Sequence, residues 1–290
     1  MSPAGRGIVL IIIAFAMFAV VDTTAKYLSQ NYPILSVVWA RYAFNMLAII
    51  IVVGPRMGLD LVRTKHLKLQ AIRGAVLTGS SILFFSALMH MPLAAASSIT
   101  FIAPILVTAA AAIFLHERVR PATWVVLAAC LVGVLMIVRP GSAVFTWWSI
   151  LPVITAGMFS SYQLMTRRLA GHDSVYTTLF YPALIGTIVL TPIMLTTGHM
   201  PTSIADALLF VSVGVVGGVG HFILIKAYDL APASTLAPFA YTQIASVLVL
   251  GYFVFGEFPD GWAFAGIAVI VISGLILVWR QRRPAPPLRR

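Results

Sequence analysis

Charge is what this sequence has least of. Only 9% of its 290 residues are charged and 60% are hydrophobic. A soluble domain carries roughly 25% charged residues, so this chain cannot cover a soluble surface. Acidic residues number 8 against 19 Lys and Arg, a formal net charge of +11. In a soluble protein that balance would suggest nucleic acid; here it points to cationic loops beside anionic lipid and excludes a nucleic-acid role. Cysteine occurs once, at Cys130 in an apolar run, so no intramolecular disulfide forms and the thiol reads as a small packing residue. No G-x-x-x-x-G-K-[ST] sequence is present, and no His, Cys or carboxylate pair has metal-ligand spacing, so neither a nucleotide cofactor nor a metal is expected. An intramembrane enzyme would need a nucleophile–base or metal constellation, and none is visible. Alternating strand patterns are missing as well, which excludes a β-barrel.

What the chain has is long apolar runs, several near the ~20 residues that cross a bilayer. Ten spans can be drawn, at about 7–27, 34–53, 71–90, 94–115, 122–138, 147–169, 175–196, 205–228, 233–255 and 262–279. The fold class is therefore all-α and integral to the membrane. The first span follows Arg6 like a signal peptide but lacks an A-x-A cleavage site, so it reads as a retained helix. The tail QRRPAPPLRR is basic and proline-rich and reads as disordered.

A repeat organises the chain. Residues 87–117 and 227–257 share one grammar at an offset of 140: Ala87 matches Ala227, Pro92 matches Pro232 and Glu117 matches Glu257. A second echo, at offset 141, pairs Met17-Phe18 with Met158-Phe159 and Lys26 with Arg167. The expected division is residues 1–140, 141–280 and a 281–290 tail. Alternate-side counting places sixteen Lys and Arg, Arg73 and Arg167 among them, on one side; only Lys26 and Arg139 fall opposite, with Arg41 inside a span. Both termini are thus expected in the cytoplasm. With five spans per repeat, the second half is inverted, an arrangement that recurs in secondary transporters with substrate bound between the repeats.

The residues Lys26, Pro33 and Arg41 in KYLSQNYPILSVVWARYAF, then Pro104, HERVRP, SYQLMTRRLAGHDS, KAYDLAPASTLAPFAYTQI and GYFVFGEFPDGW, resemble the EamA-type family of the drug/metabolite transporter superfamily. The resemblance spans nearly the whole chain. It implies ten helices in two inverted repeats and a multi-pass protein of the inner (plasma) membrane, in contact with lipid, as a monomer or homodimer. It also implies a substrate cavity lined by spans one, three, four, six, eight and nine, helices that rock around it, and no cofactor. The family includes amino-acid exporters of the YddG type, so small-molecule export, of amino acids or related metabolites, is the implied activity. Carriers of drugs, nucleotides or other metabolites are the alternative. The tryptophan often found in the family's first helix is absent; Phe15 and Phe18 stand in that region.

Candidate site residues are the polar and aromatic groups inside spans, where hydrocarbon leaves them unsolvated. A central charge costs about 2.5–3.5 kcal/mol on insertion scales. Arg41 either faces a water-filled cavity and a substrate carboxylate, or is structural, near an interface. Asp22 and Lys26 stand at i, i+4 and can pair within span one; both are also candidates for coupling or gating, Asp22 for proton coupling. Met158, Ser161 and Tyr162 in span six can share a face. Tyr241 and Gln243 follow Pro238, whose missing N–H can expose backbone. Thr78 and Ser81, Thr100 and Phe101 are further candidates from spans three and four. His221, after a glycine run that permits close helix approach, suggests a hydrogen bond or a relay. For each, ordinary packing is the competing explanation. Glu117 and Glu257 end helices, where a carboxylate opposes the dipole; Arg118 and Arg120 are available to compensate Glu117, and no sequence neighbour does so for Glu257.

Overall fold

The computed structural model describes residues 2–138, 146–257 and 261–282, and among these it is helical without strands. The long segments are α1 (Pro3–Leu28), α2 (Ile34–Val52), α3 (Leu67–Leu88), α4 (Leu93–Phe114), α5 (Pro121–Val138), α6 (Ile150–Leu169), α7 (Val175–Thr197), α8 (Ile204–Leu230), α9 (Ala233–Phe255) and α10 (Gly261–Arg282). They coincide with the ten stretches drawn from sequence to within a few residues. Among the described residues, seven helices are long and apolar enough to cross a membrane, namely α1–α4 and α7–α9; Pro121–Met136 is apolar but shorter. The segment α6 falls outside that set because it carries Ser160, Tyr162, Gln163 and Thr166, all buried against other helices. The chain is a multi-pass membrane protein. Arg139 and the tail beyond Arg282 lie outside the described residues.

Local chemistry sets the helix ends. Ser2 caps α1 by accepting from Gly5 N–H, with Pro3 at the first helical position. Ser174 and Ser203 cap α7 and α8 in the same way. Pro92 and Pro232 stand just before α4 and α9 in extended conformation, so the α3–α4 and α8–α9 hairpins turn within a few residues.

Both α4 and α9 are broken in mid-course. Helix α4 consists of Leu93–Thr100 and Ala103–Phe114, and α9 passes through a 3₁₀ stretch at Ala237–Thr242. Pro104 and Pro238 lack the N–H that would bond four residues back, which loosens the ladder there.

The packing follows the repeat. Helix α1 packs on α8 as α3 packs on α6; α2 packs on α8 as α7 packs on α3; α1 packs on α9 as α6 packs on α4. The α2–α7 and α5–α10 pairs each map onto themselves under the same exchange. Close approach at the α2–α8 contact requires Gly214: a Cβ there would lie 2.5 Å from Phe44 Cβ and 2.9 Å from the Ala40 carbonyl.

Arg73 corrects one expectation. It is counted above with the loop cations, yet it lies fully buried in α3. Its guanidinium donates to Thr166 Oγ1 at 2.9 Å and to the Thr178 carbonyl, and sits over the Tyr162 ring. Removing it from the count leaves fifteen against two, with the same asymmetry.

Candidate functional site

The breaks in α4 and α9 border a half-open cavity, whose empty space of about 510 Å³ includes open solvent. Phe18 and Asp22 of α1, Arg41 of α2, Ser80, Ser81 and Phe84 of α3, Thr100 of α4, Thr155 and Phe159 of α6 and Gln243 of α9 line it. Aromatic faces form one wall: Phe18 and Phe159 meet edge to face at 6.4 Å between centroids. Such a mostly apolar concavity with a few polar groups is the usual form of a small-molecule site.

The polar groups are one cation, one carboxylate and several hydroxyls. Arg41 donates to His221 Nε2 at 3.1 Å, and its guanidinium lies 5.4 Å from the Phe85 ring centre. Because an arginine only donates, Nε2 accepts, so Nδ1 carries the proton and donates to Tyr162 Oη at 3.1 Å. Tyr162 is itself buried under Arg73. A continuous hydrogen-bonded line thus holds Arg41 in place from α6 and α8. Arg41 forms no ion pair among the described residues, so most of its donor fork remains available toward the cavity. Asp22 accepts from Gln243 Nε2 at 3.1 Å. A second, smaller cavity adjoins, lined by Arg41, Asn45, Tyr162, Gly217 and His221 among others.

Of the sequence candidates, Arg41, Asp22, Ser81, Thr100 and Gln243 meet in this cavity, with Tyr162 and His221 in the adjoining one. Ser81 also bonds Tyr42 Oη at 2.7 Å, tying α3 to α2. The others are placed elsewhere. Thr78 is buried and bonds back to the Gly74 carbonyl, and Phe101 packs against Tyr241, both rings buried. Met158 lies against Gly79 of α3. Ser161 is exposed and bonds the Gly157 carbonyl of its own helix. Ser161 and Tyr162 do not share a face, since adjacent residues diverge by about 100° around a helix.

The expected Asp22–Lys26 pair does not form. Lys26 Nζ instead bonds Glu257 Oε1 and reaches the Met91 carbonyl at 3.4 Å. Glu257 therefore has a nearby cation after all, brought from 231 positions away in sequence. Glu117 is compensated by Arg167 Nε at 3.3 Å, so neither Arg118 nor Arg120 is needed. It also accepts from the N–H groups of Ala233 and Ser234 and from Ser234 Oγ. Partial burial pushes the Glu117 carboxyl up, but the hydrogen bonds from Ser234, Ala233 and Arg167 outweigh it and hold the group below its ordinary value.

Sequence reasoning assigned no site role to Phe84, Thr155 or Phe159. Nothing distinguishes them in sequence from lipid-facing or packing residues of the same types; only the tertiary arrangement brings them together.

The profile of the EamA-like transporter family matches the chain twice, over residues 5–139 and 146–279. The chain is 28% identical over 285 residues to a riboflavin transporter of Vibrio cholerae, covering 96% of this chain and 95% of that protein. It is 25% identical over 262 residues to an S-adenosylmethionine uptake transporter of Rickettsia conorii, covering 90% and 88%. A pseudopaline exporter of Pseudomonas aeruginosa is 27% identical over 272 residues, covering 93% and 95%. One solved crystal structure superposes with a TM-score of 0.76 at 17% identity, covering 97% of this chain and 99% of that one, which establishes the likeness of fold.

Proposed function

The chain belongs to the EamA-like transporter family, and from that premise we propose that it exports amino acids or closely related zwitterionic metabolites by alternating access through the central cavity. That it is a transporter of small molecules and not an enzyme follows from the family and its relatives. The finer reading rests on one observation: Arg41 and Asp22 face the same cavity without forming an ion pair with each other. A fixed cation and a fixed carboxylate on the walls of one space complement a carboxylate and an ammonium on one ligand. The guanidinium fork accepts a carboxylate bidentately, Asp22 takes the ammonium, and Phe18, Phe84 and Phe159 offer apolar surface to a side chain. S-adenosylmethionine, the substrate in one relative's name, carries such an amino-acid head.

Ten crossings, in two inverted repeats of residues 1–140 and 141–280, are part of the same reading. The exchange-related packing supports it. The fifteen-to-two cation asymmetry supports cytoplasmic termini in an inner membrane. Relatives named for uptake and for export bracket the direction, and export follows the family resemblance of the sequence.

A second reading is favoured by the aromatic wall and the riboflavin relative: a flat heteroaromatic substrate stacked on Phe18 and Phe159. Counterflow in proteoliposomes separates the two, using radiolabelled amino acids, S-adenosylmethionine and riboflavin. Saturable exchange of amino acids, competed by zwitterions, is expected. Exchange of riboflavin with no amino-acid signal from folded protein overturns the first reading in favour of the second.

A further inference from the structure

Glu117 and Glu257 do the same thing at opposite ends of the molecule. Each follows a helix that closes with a left-handed residue, His116 at φ 54° after α4 and Gly256 at φ 68° after α9. In each case the glutamate N–H bonds back six residues, to the Ala111 or the Gly251 carbonyl at 3.2 Å. This is a Schellman-like closure of a helix end, built on the αL residue. The Glu117 carboxylate then bonds the first N–H groups of α9, and that of Glu257 bonds the first N–H of α4, from Leu93. The end of α4 therefore adjoins the start of α9, and the end of α9 the start of α4, so the two helices run antiparallel. Their 22 and 23 residues separate the two glutamates by about 33 Å.

Each carboxylate also holds a cation from the repeat opposite its own, Lys26 at the end of α1 for Glu257 and Arg167 at the end of α6 for Glu117. Every such cluster ties the end of α4 or α9 to both neighbours around the cavity. The clusters are unequal. Glu117 accepts four hydrogen bonds, and its Arg167 also donates to the Tyr228 carbonyl at 2.6 Å. Glu257 accepts two. The cavity is also off-centre. Its lining residue nearest Lys26 on α1, Asp22, lies one turn away, about 6 Å, whereas the one nearest Arg167 on α6, Phe159, lies about 12 Å away. Less helix and fewer hydrogen bonds separate the cavity from the Glu257 end than from the Glu117 end.

We propose that the Lys26–Glu257 and Arg167–Glu117 clusters are the two gates of this carrier, opened one at a time, and that the unloaded protein rests with the Glu257 end as the one that opens. This rests on the carrier reading above. It does not rest on the substrate, because gating can be read without one.

The test places a single cysteine at the cavity wall, Thr155→Cys, in a Cys130→Ala background, and labels it with a membrane-impermeant maleimide from each face of oriented membrane vesicles. Glu257→Gln keeps an acceptor for Leu93 N–H but removes the charge. It is expected to raise labelling from the Glu257 face roughly tenfold, the effect of one weakened polar contact. Lys26→Gln should do the same, and the double variant should add nothing, since both remove one interaction. Glu117→Gln and Arg167→Gln should shift labelling to the opposite face at the expense of the first. Two variants per gate keep the test open if one fails to fold. Labelling that is unchanged in all four, or that rises from both faces together, overturns the proposal. Counterflow on the same vesicles tells a failed gate from a failed substrate: gated labelling without amino-acid exchange refutes only the amino acid.

Discussion

Arg41→Gln separates a substrate contact from a structural arginine. In the structure the guanidinium spends one hydrogen bond on His221 and leaves the remainder of its fork toward the cavity. Glutamine can keep a neutral contact with His221, so the fold should lose only about 1 kcal/mol, the net worth of an ordinary hydrogen bond. A bound carboxylate loses more. Two charge-assisted bonds, each worth about 1.5–3 kcal/mol, are replaced by at most one neutral bond and by water. A net loss of about 2–3 kcal/mol weakens half-saturation by roughly 30–150-fold. The assay is counterflow in proteoliposomes across substrate concentration, beside thermal unfolding in detergent. A decarboxylated amine analogue supplies the internal control, because it has no group for Arg41 and should compete equally well against both proteins. Arg41→Lys, which keeps charge but not the fork, should fall between. If the amine loses as much as the amino acid, or unfolding temperature drops in step with transport, Arg41 is structural and the zwitterion reading fails.

Arg73→Ala should destabilise by about 3–5 kcal/mol, since it leaves a cavity and takes the Arg73 donor from the Thr178 carbonyl, whereas Arg73→Met, which fills the space, should be milder; thermal unfolding of both variants checks this. Gly214→Ala should cost about 1–3 kcal/mol, because its Cβ meets backbone of α2 with nowhere to go; a melting temperature equal to wild type refutes the close approach. The Glu117 carboxyl is held below its ordinary value of 4.5, so its cluster stabilises fully above that pH and is lost as pH falls through the lower folded value. Acid unfolding of Glu117→Gln should therefore show a shallower loss below pH 4.5 than the wild type.

Much of the architecture was legible because apolar runs and turn residues are local signals. Pro92 and Pro232, set in runs of this kind, mark the hairpins without any tertiary knowledge. The site was less legible, and the reason is distance along the chain. Asp22 and Lys26 stand one turn apart and read as partners, yet each is taken by a residue more than 200 positions away. Arg73 read as a loop cation because sequence gives no sign of the carbonyl and hydroxyl that receive it. Ser161 read as lining because helical phase fixes relative faces, not which face meets protein. The matched glutamates were visible as a repeat, but what they bond became clear only when the two halves came together.

The reciprocal bonding of those glutamates has a bearing on how the chain is made. When the ribosome has delivered α4, Leu93 still lacks the carboxylate that will take its N–H, and that carboxylate arrives 164 residues later. Glu117 likewise waits for Ala233 and Ser234. Neither half completes itself; each carries the acceptor for the other's helix start and the donor for the other's acceptor. This is the pattern of an isologous contact, in which one surface meets its own kind across a two-fold axis. Two separately synthesised halves therefore carry, at these clusters, the acceptors and donors that each offers the other without the connecting peptide.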